Sequence, residues 1–127
     1  MMKGGMHMKL DPECIRALLL SIEDKCTPST PWNYKYQNPT SDFISDENYE
    51  KIFHHILQLR NAGLINGVTY YECGKIIFVS NLTPDGDTFL ANIRNESIWK
   101  KIISGGVNAS LSILIEIAKD AALKHLS

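Results

Sequence analysis

The sequence predicts an α+β domain in which helices stand before and after a β-hairpin, and three stretches carry that expectation. From Ser45 to Asn66, apolar residues recur at helical spacing until a glycine closes the run. From Val68 to Glu72 and from Lys75 to Val79, β-branched and aromatic residues flank Cys73-Gly74, as in an antiparallel hairpin. Directly after it, Leu82-Thr83-Pro84-Asp85-Gly86 opens another helix, with Thr83 as cap and Pro84 at the first helical position.

Met1 to His7 has two adjacent glycines and no periodicity, so residues 1–8 read as a flexible leader, added or reached from an upstream start. Asp11-Pro12-Glu13 then opens a helix: a carboxylate cap, a proline where no N–H is needed, and an acid in the first turn. Its buried stripe is Ile15, Leu18, Leu19, Ile22 and Cys26, with Arg16, Glu23 and Asp24 outside. Thr27-Pro28-Ser29-Thr30-Pro31 ends it. Trp32, Tyr34 and Tyr36 alternate with Asn33 and Lys35, the period of a short strand, although a packed aromatic loop would read the same way.

In the central helix Ser45 is the expected cap, and Asp46 and Glu47 place negative charge at the positive end of the helix dipole. Tyr49, Ile52, Phe53, Ile56 and Leu59 form the core stripe, and Gly63 supplies the left-handed stop. Glu47, Lys51, His54 and Gln58 line up on the other side. Asn66-Gly67 is a turn signal too close to the helix for a strand to precede it. Phe89, Leu90 and Ile93 are the apolar face of the helix after the hairpin. Near Asn95 the phase shifts to Ile98, Trp99, Ile102 and Ile103, and Gly105-Gly106 marks a break. From Ser110 to Leu126 a wide apolar face of Leu111, Leu114, Ile115, Ala118, Ala121 and Ala122 opposes Ser112, Glu116, Lys119 and Asp120. The expected organisation is thus a domain at 9–104 and a C-terminal helix at 105–127.

The 127 residues are 44% apolar and 21% charged, an ordinary globular composition, and the formal net charge is -1. A strongly basic balance would have argued for nucleic acid; here any such contact must rest on local placement. No apolar run approaches the roughly 18–20 residues of a membrane span, and no secretory signal pattern follows the N-terminus, so the expected setting is cytoplasmic without membrane contact. Cys14, Cys26 and Cys73 are odd in number and never spaced C-x-x-C, which fits reduced, largely buried thiols.

Helix, strand, helix with a glycine stop, hairpin, helix is the order of a winged helix-turn-helix, where a helix fits the DNA major groove and a two-stranded ribbon reaches the flanking backbone. His55 to Ile65 resembles the end of the recognition helix and the entry to the wing in bacterial winged-helix regulators. Leu82-Thr83-Pro84-Asp85-Gly86-Asp87-Thr88-Phe89-Leu90 resembles the exit from their wing. Beyond these, Met8 to Arg16, Tyr49 to Ile65, Leu82 to Gly86 with Phe89 to Arg94, Ile98-Trp99-Lys100 and the final helix are similar to a family of small bacterial and phage proteins, catalogued as domain of unknown function 2513. That resemblance implies a winged-helix-like fold with a β-hairpin wing and additional C-terminal helices, in a bacterial or prophage setting. It brings no catalytic or ligand residues. No separate second helix is evident between Tyr36 and Ser45: either it is compressed into Thr40 to Ile44, or the motif is only winged-helix-like.

On the DNA reading, Asn48, Lys51, His54, His55 and Gln58 would face the groove while Tyr71 and Lys75 touch phosphates. Asp46, Glu47 and Glu50 oppose it, although first-turn acids are common for dipole reasons alone. His54 and His55 point about 100° apart and cannot share a metal; Glu50 with His54 has helical spacing but is only two ligands. Asp85-Gly86-Asp87 lacks the other ligands of a calcium loop. No nucleophile or phosphate-loop motif is present, so neither an enzyme nor a cofactor is expected. Leu111, Leu114, Ala118 and Ala121 serve either the domain's own core or a homodimer interface. The favoured function is a DNA-binding, transcription-regulator-like module contacting double-stranded DNA. The alternative is a protein-interaction module, such as a phage accessory protein that grips a protein partner with the same scaffold.

Overall fold

The computed structural model describes residues 9–36, 49–105 and 110–126. The expected leader at 1–8, the Ser45 cap with Asp46 and Glu47, Asn48, the segment Thr40 to Ile44 and Gly106 lie outside the described residues.

Asp11 and Pro12 open α1 (Pro12–Lys25) as their chemistry requires, with the Asp11 carboxylate accepting the Glu13 N–H at 3.0 Å. Ile15, Leu18, Leu19 and Ile22 are buried. So is Ser21, whose Oγ accepts the Trp32 indole N–H at 2.8 Å. Arg16, expected in solvent, instead lies over the Trp99 ring at 4.8 Å and pairs with Glu96 at 3.3 Å. The guanidinium plane makes that placement favourable, since it lies on the ring face as a cation–π contact while its Nη2 keeps the Glu96 carboxylate.

The aromatic alternation at 32–36 is a strand. β1 (Trp32–Lys35) buries Trp32 and Tyr34 and turns Lys35 outward. After α2 (Tyr49–Asn61) come β2 (Ile65–Asn66), β3 (Thr69–Tyr71), a short 3₁₀ turn at Glu72–Gly74, β4 (Ile76–Val79) and β5 (Asn81–Leu82). β4 is the centre of an antiparallel sheet of order β1-β4-β3, and β2 pairs with β5. Both ladders keep one register, Ile65 opposite Leu82 and Tyr71 opposite Ile76, so residues 65–82 are one long hairpin. It is interrupted where Gly67 lies against Ser80. Asn66-Gly67 is therefore not a turn, and a strand does precede it. The reason is the helix stop: Gly63, at φ +76°, and Leu64 donate to the Arg60 and Leu59 carbonyls, both at 3.0 Å, leaving Ile65 free to extend at once.

Thr83 caps α3 (Pro84–Arg94), accepting the Gly86 N–H at 3.0 Å, and the same hydroxyl donates to the Gly63 carbonyl at 2.5 Å. The phase shift at Asn95 is a helix boundary: its side chain accepts the Ser97 and Ile98 N–H groups at the start of α4 (Glu96–Gly105). α5 (Leu111–Leu126) packs on both α3 and α4. Leu111, Leu114, Ala118 and Ala121 are 0–6% exposed within this one chain, so the stripe considered for a homodimer is core. A face too wide for one neighbour is satisfied because α5 has two. One hydrophobic cluster runs from Ile15 to Ala121, and the C-terminal helix shares it. Among the described residues, no helix is long and apolar enough to cross a membrane.

Candidate nucleic-acid interface

Burial of Ile52, His55, Ile56 and Leu59 fixes how α2 is turned. At 3.6 residues per turn, the side opposite this stripe carries Glu50, His54, Leu57 and Asn61, with Gln58 beside them. His54 and Gln58 are half-buried. His55 does not face outward. It is fully buried, its Nε2 accepting the backbone N–H of Asp11 at 2.9 Å and its Nδ1–H donating to the Lys51 carbonyl at 2.8 Å. His55 stands three residues after Ile52 and four before Leu59, on the buried stripe, while His54, about 100° away, does not.

Lys51 is also committed. Its ammonium meets Asp11 Oδ2 at 2.5 Å, so its charge is answered inside the chain. Burial pushes the Asp11 carboxyl up, but the Lys51 ammonium and the Cys14 and Glu13 amides together hold it below its ordinary 3.8. Burial pushes the His55 imidazole below its ordinary 6.5, aided by His54 and Lys51 and opposed by the Lys51 carbonyl and Asp11. Burial drives the neighbouring Cys14 thiol up to about 12, which leaves no thiolate at neutral pH. Asp11, Lys51 and His55 thus join the start of α1 to the middle of α2.

The hairpin supplies the other half of the surface. Its tip holds Glu72, Cys73 and Gly74 at φ 52°, 57° and 94°. Gly74 is seated on Phe53, where a Cβ would fall 2.3 Å from the ring. Tyr70 meets Phe53 edge-on at 4.7 Å, Tyr36 meets Tyr49 at 4.8 Å, and the Lys75 ammonium lies 5.5 Å from the Tyr49 ring. These contacts dock the tip on the first turns of α2. Tyr71, 53% exposed, shares the outer face of the sheet with Lys35, Ile76 and Phe78. Lys35 is not among the expected residues, yet its exposure has a signal: the alternation that buries Trp32 and Tyr34 turns Lys35 out. Tyr71 therefore shares one surface with Lys35, whereas Lys75, over the Tyr49 ring, lies where the hairpin tip meets α2. His54 and Gln58 stand on the flank of α2 away from Phe53. Cys73, expected among buried thiols, is exposed at the tip, in the turn where its φ is 57°. Among the described residues, no three His, Cys, Asp or Glu side chains gather where a metal ion could be held.

Residues 9–112 match the model of the family described as Hypothetical protein (DUF2513). The chain belongs to this family. The DUF2513 match takes in the Asp11, Lys51 and His55 junction, the whole hairpin and the start of α5. A protein of Haemophilus influenzae (strain ATCC 51907 / DSM 11121 / KW20 / Rd), described as uncharacterized, is 24% identical over 121 residues, covering 94% of this chain and 97% of the relative. No solved structure matches the chain.

Proposed function

We propose that this chain is a winged-helix DNA-binding protein of the transcription-regulator kind, in a bacterial or prophage setting, with the hairpin as its main contact. One observation carries the reading: β1 pairs with β4, the returning strand of the hairpin that directly follows α2. A helix followed by a ribbon held in a sheet with the preceding strand suits a major groove and its adjacent backbone. The contact set is Tyr71 and Lys35 from the sheet, Lys75 from the hairpin tip, and His54 and Gln58 from α2. His55 and Lys51 leave it, being buried and ion-paired. The reading includes no catalytic step and no cofactor.

With so few free cations the electrostatic term is small. About two or three phosphates neutralised correspond to a shallow salt slope and weak, largely sequence-independent binding. Fluorescence anisotropy of a labelled mixed-sequence duplex over a salt series tests this. Lys75→Ala and Lys35→Ala should each flatten the slope by about one unit, while Lys51→Ala leaves it unchanged. Absence of duplex binding even at low salt overturns the reading.

A second reading, a protein-interaction module, draws on the outer sheet face. β4 is apolar on both sides, as strands covered on both faces are, and its outer side carries Ile76 and Phe78 beside Tyr71. Loss of a partner with Phe78→Ser but not with Lys75→Ala would favour it.

A further inference from the structure

From the cleft where α3, α5 and the end of α2 meet, we infer a second binding site, for a small zwitterion of the α-amino-acid type with an aliphatic side chain. The cleft, about 150 Å³, has an apolar floor of Ala62, Leu64, Phe89 and Ile115. Its rim is polar: Asp85 and Thr88 on α3, Asn92 one turn further along α3, and Lys119 on α5. Leu64 and Phe89 are core residues, 1% and 3% exposed, so the floor is the edge of the hydrophobic core rather than a surface depression between flexible side chains.

Charge placement selects the ligand class. Asp85 and Lys119 lie on the two helices that bound the cleft. Among the described residues, neither forms an ion pair with the other or with any third group. Asp120 nearby pairs with Lys124, and Asp87 and Glu116, though in no ion pair among the described residues, do not line the cleft. A carboxylate and an ammonium that each lack an ion-pair partner, over an apolar floor, complement an α-ammonium, an α-carboxylate and an aliphatic side chain. Thr88 and Asn92 add hydrogen-bonding capacity along the wall between them. Size sets the upper limit: drug-sized ligands occupy roughly 300–1,000 Å³, so this cleft admits only a metabolite of amino-acid dimensions.

The walls are preorganised. Thr83 joins the Gly63 carbonyl to the first turn of α3, and Gly86 approaches Leu64 so closely that a Cβ would fall 2.0 Å from the Leu64 carbonyl oxygen. A site on such joined elements binds without first ordering a loop. It is separate from the proposed DNA-contacting surface and does not depend on it.

The test uses the full chain, labelled with ¹⁵N, titrated with L-leucine as the probe. Saturable shifts confined to Leu64, Asp85, Thr88, Asn92, Ile115 and Lys119 are expected. Leucinamide lacks the carboxylate, and N-acetyl-leucine lacks the ammonium; each should bind about tenfold more weakly or worse, as should L-leucine to Lys119→Gln and Asp85→Asn. Both substituted residues are exposed, so the variants keep the fold, which their spectra verify. If none of L-leucine, L-valine and L-isoleucine gives a saturable shift at the cleft, the site is refuted. If L-leucine binds both variants as well as the native chain, the charge-based assignment is refuted.

Discussion

Asp11 and His55, far apart in sequence, are joined by a single hydrogen bond, 2.9 Å from the Asp11 backbone N–H to the His55 Nε2. Because the Asp11 N–H is the donor, Nε2 must be the unprotonated nitrogen, and the ring is the neutral Nδ1–H tautomer with Lys51 as its acceptor. Asp11 also caps α1 and pairs with Lys51. One aspartate therefore fixes α1 to α2 through its backbone and its side chain at once.

Stability should fall as the medium is acidified below about pH 6.5. Burial lowers the folded-state pKa of His55 below its unfolded value near 6.5, so the unfolded chain binds the proton first. The contribution is complete above pH 6.5 and is lost as pH falls from there toward the folded value. Protonation would also set an Nε2–H against the Asp11 N–H. Asp11, lowered for the opposite charge type, adds its own loss only further down, below its ordinary 3.8. Urea unfolding of the native chain between pH 7.5 and 5 should show the decline, and His55→Gln should remove most of that slope.

His55→Ala at pH 7.5 should destabilise by roughly 2–4 kcal/mol, combining a cavity with an orphaned Asp11 amide. A cost near that of a surface substitution, measured by chemical denaturation, would mean the side chain is not held as described.

Two glycines should differ in why they resist alanine. At Gly63 nothing lies within 4 Å of a new Cβ, so only the left-handed backbone is penalised, about 1 kcal/mol. At Gly86 the new methyl would meet the Leu64 carbonyl oxygen, and the start of α3 must move. Thermal unfolding should rank Gly86→Ala well below Gly63→Ala, by roughly 1–3 kcal/mol of overpacking.

Leu114→Glu should unfold the domain rather than yield a soluble folded monomer. Leu114 is 1% exposed against its own chain, and an unpaired buried charge costs several kcal/mol. A native-like circular dichroism melt in this variant would contradict the burial.

Features set by neighbours in sequence were legible from the residues. Asp11-Pro12, Thr83-Pro84 and Gly63 each dictate a helix end through local chemistry, while the alternation of Trp32, Asn33, Tyr34 and Lys35 fits a strand but equally a packed loop. What depends on a distant partner was not. Ile65–Asn66 becomes a strand only because Asn81–Leu82 returns beside it. The orientation of α2 is decided by what packs on it, and a rotation of one residue exchanges a groove-facing His55 for a buried one. Lys51 reads as a solvent-facing cation in the sequence because its partner Asp11 lies 40 residues away. The stripe on α5 looked too wide because the sequence does not say how many helices adjoin it. The Asp85 and Lys119 cleft had no sequence signal, since its two charges come from different helices and obey no spacing rule.

The most direct test of the proposed DNA-contacting surface is amide shift mapping of the ¹⁵N-labelled chain with a mixed-sequence duplex at low salt. Shifts should concentrate on Thr69 to Ile76, on Lys35, and on His54, Gln58 and Asn61 of α2, and should disappear as salt is raised. Shifts confined to α4 and α5, or none at duplex excess, would contradict the assignment of this surface to DNA.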